Sequence, residues 1–542
     1  MFSGKAIERF FFIVFLLLPI AYCILYAPIG FSDTDQGFFP GLCWRILQGQ
    51  VPYVDFVYVR PPIPIYFHAL EMHLLPEGYQ MIGSRYFMYL EIWISVLFAA
   101  VTLGKIAAKH IPEGHHWLIA SLGFVIGVHN FPPMPWHTID GVFFASAGIL
   151  LMSNRPTVLP QLFGVFFLLL SALCKQPFLI LLPAAIVMSL LTSGWKSAGR
   201  QITYFLIAGM IAAWLMYAIH PEFIATMLKQ ISGSGSLQEL FRTGVYEYLK
   251  GGAIVTIAVG IMILASILKN SFIRIPALPV ISLWLVITSI AFLNVIVTWQ
   301  NEIFKLPALW FSHALWIFGI LSAIRIWKED RRAGIGLSML LIVSWAASVS
   351  WGYATPLLFM APALFGSVSF INIFTSSRRL IRIHTGVLLA FLIFAGMMYR
   401  FPYRDEPAEN CIYDLGTLSP EYSRILTGRR SYEKHEDLLG LVNIHGPEFT
   451  VFPSMPHAHH FCRLKPQWKS DWEHNGEILF DSNKDELWSD LDQSGLVVLI
   501  EKDKMKELDN PGKYGAGIAK LVTENWMQID ETEFFRVYTR SK

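Results

Sequence analysis

About thirteen apolar stretches, each near the roughly 17 to 25 residues that cross a bilayer as a helix, punctuate this chain and limit what it can fold into. They centre on residues 10–28, 87–103, 116–129, 140–153, 157–173, 177–193, 202–219, 252–268, 278–298, 307–324, 335–352, 355–374 and 384–399. Several are short or interrupted by proline, and Lys175 and Pro177 split the run 157–193. Among 542 residues 54% are hydrophobic and only 15% charged, with a mean hydropathy of +0.47. A soluble protein of two or three domains is excluded, and the chain reads as an α-helical polytopic membrane protein.

Loop charges supply an orientation independent of that count. With a cytoplasmic N-terminus, alternate loops carry Lys5 and Arg9, Lys105 and Lys109, Arg155, Lys196 and Arg200, Lys269 and Arg274, Arg325 to Arg332, and Arg378 to Arg382. This is the positive-inside pattern, and slipping the count by one span would destroy it. An odd number of spans places the loop that follows the first span and the C-terminal region together on the outer side. Residues 1–28 have the charged start and apolar core of a signal peptide, but no small-residue cleavage site follows, so a retained first span is expected. The chain holds no Asn-x-Ser/Thr acceptor, which favours a bacterial inner membrane with the C-terminal domain in the periplasm.

Composition changes near Phe401. Residues 402–542 hold 17 Lys plus Arg against 25 Asp plus Glu, so an acidic soluble tail follows a basic membrane body. The expected division is 1–400, with an outer loop at 29–86, and 401–542. In the tail, helical patterns near Tyr432 to Val442 and Asp485 to Leu491 alternate with β-rich runs at Phe449 to Phe452 and Leu496 to Ile500. The segment Gln528 to Thr539 resembles a hairpin, so a small α/β domain is predicted. Cys411 and Cys462 both fall in this outer domain, where a disulfide is chemically open to them, although nothing in the sequence brings them together. His457, His459 and His460 lack cysteine or acid partners at known metal-site spacing and read as a polar turn.

The loop from Ser32 to Arg85 carries the densest pattern of polar groups. Ser32 and Asp35 resemble a capping box for a following helix, in which Phe39, Leu42, Cys43, Ile46 and Leu47 share one face. Such a helix should lie along the membrane surface. Capping accounts for one acid; placing both Asp33 and Asp35 beside a low-dielectric surface calls for a cation or a proton-transfer task. Arg60 stands before Pro61 and Pro62, which hold the backbone extended, and a guanidinium so presented at headgroup depth suits a phosphate. In a second outer loop His137 and Asp140 follow three prolines, where solvated loop residues are the plain reading. Lys175 and Arg85 lie at outer ends of spans and read either as snorkelling boundary residues or as phosphate ligands.

The string Asp33-Thr34-Asp35, Gly49, Pro52-Tyr53, Asp55-Phe56, Arg60-Pro61-Pro62 and Arg85 resembles the first outer loop of the GT-C glycosyltransferases. The nearest group is the one containing protein O-mannosyltransferases and the aminoarabinose transferases of lipid A. Trp136-His137 with Asp140, Lys175-Gln176, and many spans followed by an outer soluble domain extend the likeness. It implies inverting transfer of a sugar from a polyprenyl-phosphate carrier to a glycan, lipid or protein acceptor on the outer face. By that resemblance Asp35 is the catalytic base and Asp33 its partner or a cation ligand. The family often has Glu after the base, whereas Gln36 stands here. Arg60, with Lys175 and Arg85, would bind the donor phosphate, and Asp55, His137 and Asp140 would serve or support the acceptor. No motif demands a cofactor, and a divalent cation is compatible with the acids. The partners implied are the lipid-linked donor, the acceptor and the bilayer, with no nucleic acid. The competing classes are a flippase for lipid-linked sugars, which should show an internal repeat that the chain lacks, and a non-catalytic envelope assembly partner.

Overall fold

The computed structural model describes residues 4–129, 131–153, 157–233, 305–349, 357–375, 402–470, 472–473, 481–508 and 517–540, with a few isolated positions between 386 and 393. The expected spans 252–268 and 278–298, and most of 384–399, lie outside the described residues. The first part of the chain forms α1 (Gly4–Leu25), α2 (Asp35–Leu47), α3 (Ile63–Leu74), α4 (Gln80–Ile106), α5 (His116–His129) and α6 (His137–Ser153). There follow α7 (Val158–Ala172), α8 (Leu181–Ser193), α9 (Trp195–Ile219), α10 (Phe223–Gly233), α11 (Lys305–Glu329), α12 (Arg331–Val349) and α13 (Ala361–Thr375). Among the described residues, five helical stretches are long and apolar enough to cross a membrane: Gly4–Leu25, Gln80–Ile106, Gln176–Ser193, Trp195–Ile219 and Arg331–Val349. Shorter apolar helices lie between them.

Two of these helices turn large apolar side chains outward. On α1 these are Phe10, Ile13, Leu17, Ile20 and Ile24, and on α9 Leu206, Met210, Trp214 and Tyr217. A surface of that kind is stable against lipid and not against water. The bundle carries polar groups at both ends. At one end Arg200 and Arg332 line a cavity of about 150 Å³ with Ile106 and Ser153, while Gly4 abuts Glu113 and His110 approaches Glu329 at 3.9 Å. The basic loops that these residues mark therefore converge on one end. The loop after α1 and the described residues of the C-terminal region gather at the other.

The C-terminal region is a small α/β unit. A short ladder pairs β1 (Tyr413–Asp414) with β2 (Leu426–Thr427). The main sheet has β3 (Phe449–Phe452) parallel to β4 (Val497–Glu501), with β6 (Phe535–Thr539) antiparallel to β4 and β5 (Met527–Glu531) antiparallel to β6. Helices α14 (Arg429–His445), α15 (Ala458–Phe461), α16 (Asp481–Ser494) and α17 (Ile518–Asn525) complete it. The hairpin expected at 528–539 and the strand at 449–452 are both present. Cys411 and Cys462 are free thiols.

This unit is stitched to the loop that follows α1. Leu426 N–H donates to Pro28 O at 2.7 Å and Gly30 N–H returns to Leu426 O at 2.7 Å, so the loop extends the β2 edge. Asp405 accepts from Phe31 N–H at 2.7 Å with the same oxygen that takes the Thr427 hydroxyl, and its other oxygen receives Gly428 N–H at 3.1 Å. Farther on, Trp44 Nε1, Arg45 Nη2 and Gln50 Nε2 donate to the carbonyls of Leu464, Trp468 and Pro466 at 2.7, 2.7 and 3.1 Å.

One expectation about α2 is corrected here, and its surroundings are a finding. The helix is covered by the C-terminal unit, for Arg45 is buried and donates to Trp468 O, and Pro456, Lys469, Ser470 and Trp472 lie against it. The Ser32–Asp35 capping box does not form. Instead Gln36 reaches back to Ser32 N–H at 2.6 Å, and the Asp35 carboxylate is left free to point elsewhere.

Glycine makes this close approach achievable. A Cβ on Gly41 would overlap the Pro456 carbonyl oxygen, and one on Gly37 would overlap the His457 ring. Forcing atoms into a packed contact costs about 1–3 kcal/mol. Gly41→Val should therefore raise the rate at which trypsin releases the C-terminal unit by roughly ten- to a hundredfold, while circular dichroism reports an unchanged helical body. An unchanged cleavage rate would show that the contact does not hold the two parts together.

Candidate active site

Where the loop meets the C-terminal unit lies a cavity of about 660 Å³. Asp33, Asp35, Trp136, Arg404, Arg430, Lys434 and Trp472 are among the residues that line it. The two aspartates, expected as base and partner, have different surroundings.

Asp33 is tied. Its Oδ2 lies 2.6 Å from Lys434 Nζ, and the same ammonium is 2.6 Å from Glu501 Oε1 and 3.9 Å from Asp503. Glu501 ends β4 with its side chain fully buried, its other oxygen taking Ser454 N–H at 2.7 Å and the Ser454 hydroxyl at 3.0 Å. Burial alone would raise the Asp33 carboxyl, but the Lys434 ammonium outweighs it and holds Asp33 far below the usual carboxylate range. Burial likewise works against the charge on Lys434, and Asp33 with Glu501 outweighs it and drives its pKa upward.

Asp35 opens the first turn of α2 and faces the cavity. Its Oδ2 accepts the Tyr403 hydroxyl at 2.6 Å and lies 3.0 Å from Arg404 Nη1. Burial, and then the charge of Asp35, push the Tyr403 phenol upward, so it stays a neutral donor. Arg404 is more than half exposed, its guanidinium 4.9 Å from the Tyr403 ring.

An aromatic wall stands beside the acids. Phe38 packs against Trp472 at 4.4 Å and against Trp136 at 5.7 Å between ring centroids. The Arg60 guanidinium lies 5.5 Å from both the Phe38 and Trp136 rings, and its Nη1 is 3.2 Å from His137 Nδ1. Burial lowers the Arg60 pKa to about 10, against support from Tyr58 and Asp35, which leaves it cationic at neutral pH. Lys175 donates to the Thr138 hydroxyl at 3.2 Å, and it shares the surroundings of His137 with Arg60.

The remaining sequence candidates are dispersed. Arg85 is fully buried and gives its guanidinium to the carbonyls of Ala27 and Gly30 at 2.6 and 2.7 Å, which holds the start of the loop. Asp55 is at the surface and accepts Val51 N–H at 2.7 Å within its own turn. Asp140 is fully buried beneath the cavity with His68 at 3.0 Å.

The three histidines expected in a polar turn are instead among the most buried polar groups of the interface. His435 Nδ1–H donates to Ser431 O at 2.7 Å, so its Nε2 is the acceptor and His457 Nε2–H the donor across their 2.9 Å contact. His460 sits between the Tyr422 hydroxyl and Gln80 Oε1, each at 3.0 Å, while His459 donates to Phe449 O at 2.9 Å. Composition concealed them, because a His-rich turn looks solvated until its covering partner is known. Lys434 did leave a signal: it precedes Leu438 and Leu441 by four and seven residues, which puts a charge on the apolar stripe of a helix.

No protein-family model matches the chain, and no curated protein matches it. Among solved structures it is similar to ArnT from Cupriavidus metallidurans in the apo state, with 10% identity, coverage of 98% of each chain and a TM-score of 0.43. For the same protein bound to undecaprenyl phosphate the values are 12%, 97% of each chain and 0.43. The archaeal oligosaccharyltransferase AglB from Archaeoglobus fulgidus, in complex with an inhibitory peptide and a dolichol-phosphate, is similar at 10% identity. That match covers 98% of this chain and 74% of AglB, with a TM-score of 0.49.

Neutral, buried imidazoles make the interface sensitive to acid. Burial pushes His435 down to about 4 and His460 down to about 3 from the ordinary value near 6.5, and it lowers His457 as well. A depressed histidine stabilises the fold fully above about pH 6.5, and that contribution is lost as pH falls toward the folded value. Across that interval each buried imidazole costs up to about 1.4 kcal/mol per pH unit. The melting temperature should therefore fall steadily from pH 6.5 to pH 4, and His435→Phe should make the slope shallower. A flat profile for the wild type would contradict the neutral assignment.

Proposed function

We propose that this chain is a membrane glycosyltransferase that moves a sugar from a polyprenyl-phosphate carrier to an acceptor hydroxyl at the outer face, with inversion. The observation that carries the reading is the division of labour between Asp33 and Asp35. One carboxylate is spent on Lys434 in a buried network, and the other faces a cavity of about 660 Å³ walled by Trp136 and Trp472. The resemblance of the Asp33 to Arg85 string to the first outer loop of the GT-C enzymes points the same way.

In this reading Asp35 accepts the proton of the acceptor hydroxyl as its oxygen attacks the anomeric carbon. The bond from that carbon to the carrier phosphate breaks, and the electron pair leaves with the phosphate. General-base assistance of this kind is worth about 10²–10⁴ in rate. Tyr403 and Arg404 orient the base, since both touch the same oxygen and leave the other toward the cavity. The departing phosphate gains charge, and fixed cations beside a low-dielectric wall stabilise it. Arg60 and Lys175 are the proposed clamp, with His137 between them, while Arg404 closes the cavity side. Arg85 and Asp55 act at a distance from the chemistry by fixing the loop. The indole faces of Trp136 and Trp472 suit the apolar face of a sugar ring.

Asp35→Asn should lower transfer from a polyprenyl-phosphate donor by about 10²–10⁴ with carrier binding retained. Arg60→Ala should weaken carrier binding, measured by equilibrium dialysis of the unglycosylated lipid phosphate, by roughly tenfold or more. Full activity in Asp35→Asn would remove it as the base. Asp33→Asn should lower the melting temperature first, because it removes the 2.6 Å ion pair that ties the loop to Lys434 and leaves the ammonium to Glu501 alone.

A further inference from the structure

Away from the candidate active site, the charged groups of the bundle are of two kinds. Some satisfy one another: His68 lies between Glu71 at 2.7 Å and Asp140 at 3.0 Å, and Asp140 also bonds Glu91. Arg200 on α9 and Arg332 on α12 do not. Among the described residues neither guanidinium has an ion pair or a hydrogen bond, and both line the cavity of about 150 Å³ at the basic end. The described residues of its wall include no acid.

Two helix faces build that wall. Ser197, Arg200, Gln201 and Tyr204 recur at the spacing of one face of α9, and Arg332, Ile335, Gly336 and Met339 do so on α12. Gly194, in the left-handed region at φ 77°, turns the chain from α8 into α9 and brings the Ser189 hydroxyl to Ser197 at 2.8 Å. Ser197 accepts in that bond, so its own proton is left for another acceptor. Gln201 is only 5% exposed, yet its amide oxygen has no hydrogen-bond partner. Unpaired buried polar atoms are uncommon in folded proteins and call for an explanation.

We propose that this cavity binds the headgroup of an anionic phospholipid from the leaflet at the basic end, with Arg200 and Arg332 on the phosphodiester. Two unpaired guanidinium groups and a free hydroxyl proton match the oxygens of a phosphate. The Gln201 oxygen matches a hydroxyl beyond it, as in a glycerol headgroup, whereas choline brings a cation and no donor. A water-sized probe needs about 10–15 Å³, so the cavity has room for a headgroup and not for acyl chains. The chains have a place outside it. Val158 lines the cavity and is 59% exposed, and Leu191, Ile202 and Leu206 turn apolar side chains outward on the adjoining helices. Trp195, 80% exposed at the start of α9, suits the level of the headgroups. A soluble phosphate would use the arginines and none of this apolar surround. The site lies at the end of the bundle opposite the acidic loop and does not rest on the proposed transfer reaction.

The full chain, purified in a nonionic detergent, should retain about one dioleoyl phosphatidylglycerol per chain in native mass spectrometry, in preference to dioleoyl phosphatidylcholine at the same concentration. Arg200→Gln combined with Arg332→Gln should lower that occupancy by roughly tenfold or more. Ala185→Leu, which fills the cavity while keeping both arginines, should lower it too. Lys196→Gln removes an exposed charge at the same end but outside the cavity, and most of the lipid should stay bound. Equal retention of the two lipids by the wild type, a comparison that needs no variant to fold, would overturn the site. A loss on Lys196→Gln as large as that of the double variant would reduce the effect to surface charge and overturn it as well. If inorganic phosphate raises the melting temperature as much as phosphatidylglycerol does at equal concentration, the ligand is a soluble phosphate and the lipid assignment falls.

Discussion

The contact between Lys434 and Asp33 decides what the acidic loop can do. Two carboxylates and one ammonium meet at the edge of the cavity, and the ammonium serves both acids at 2.6 Å. Removing the ammonium would leave two carboxylates facing each other without a counter-charge, which is costly in the way that losing a surface pair is not. Because Asp33 is held ionised and directed at Lys434, it is a poor proton acceptor for anything in the cavity. Asp35, two residues on, escapes that fate because the helix begins there and turns its side chain the other way. A difference of two residues thus separates an acid that ties the interface together from one bound only by Tyr403 and Arg404 at the cavity.

The same loop ties the polar architecture of the molecule together. Basic loops gather at one end of the bundle, and at the other the acidic unit sits over a cavity walled by indoles. Between these ends the buried cluster around His68 breaks the apolar interior, joined through Asp140 to the helical turn that carries His137. Arg60 then has aromatic faces on one side and the His137 ring on another, so its guanidinium is held by shape as well as by charge.

Much of the plan is legible in the residues, and the reasons for the rest are physical. Apolar segment length and loop charge reveal a bundle with two unlike ends, because lipid imposes that pattern on each segment separately. The strand at Phe449–Phe452 and the hairpin at 527–539 can be read because alternation and turn chemistry are local. Asp35 and Arg60 stand out because their neighbours, a helix start and two prolines, are adjacent in sequence. Tyr403, Arg404 and Lys434 do not, since each reaches the loop from almost four hundred residues away. The burial of Arg45 has no local signal for a related reason: the carbonyl of Trp468 that receives its guanidinium lies more than four hundred residues on. His68, Glu71, Glu91 and Asp140 each look ordinary in sequence, and only the crossing of three helices makes them a cluster.

The backbone bridge from Pro28 and Gly30 to Leu426 has a consequence for how this molecule can be rebuilt. The first loop uses the C-terminal unit as part of its own sheet edge, so neither is a separable module. A chimera that exchanged the tail alone would leave Asp405's donors, the α2 side chains and the glycine contacts without counterparts. Loop and tail behave as one inheritable piece split by the bundle, and recombination that keeps the piece whole must cut at both ends of the chain at once.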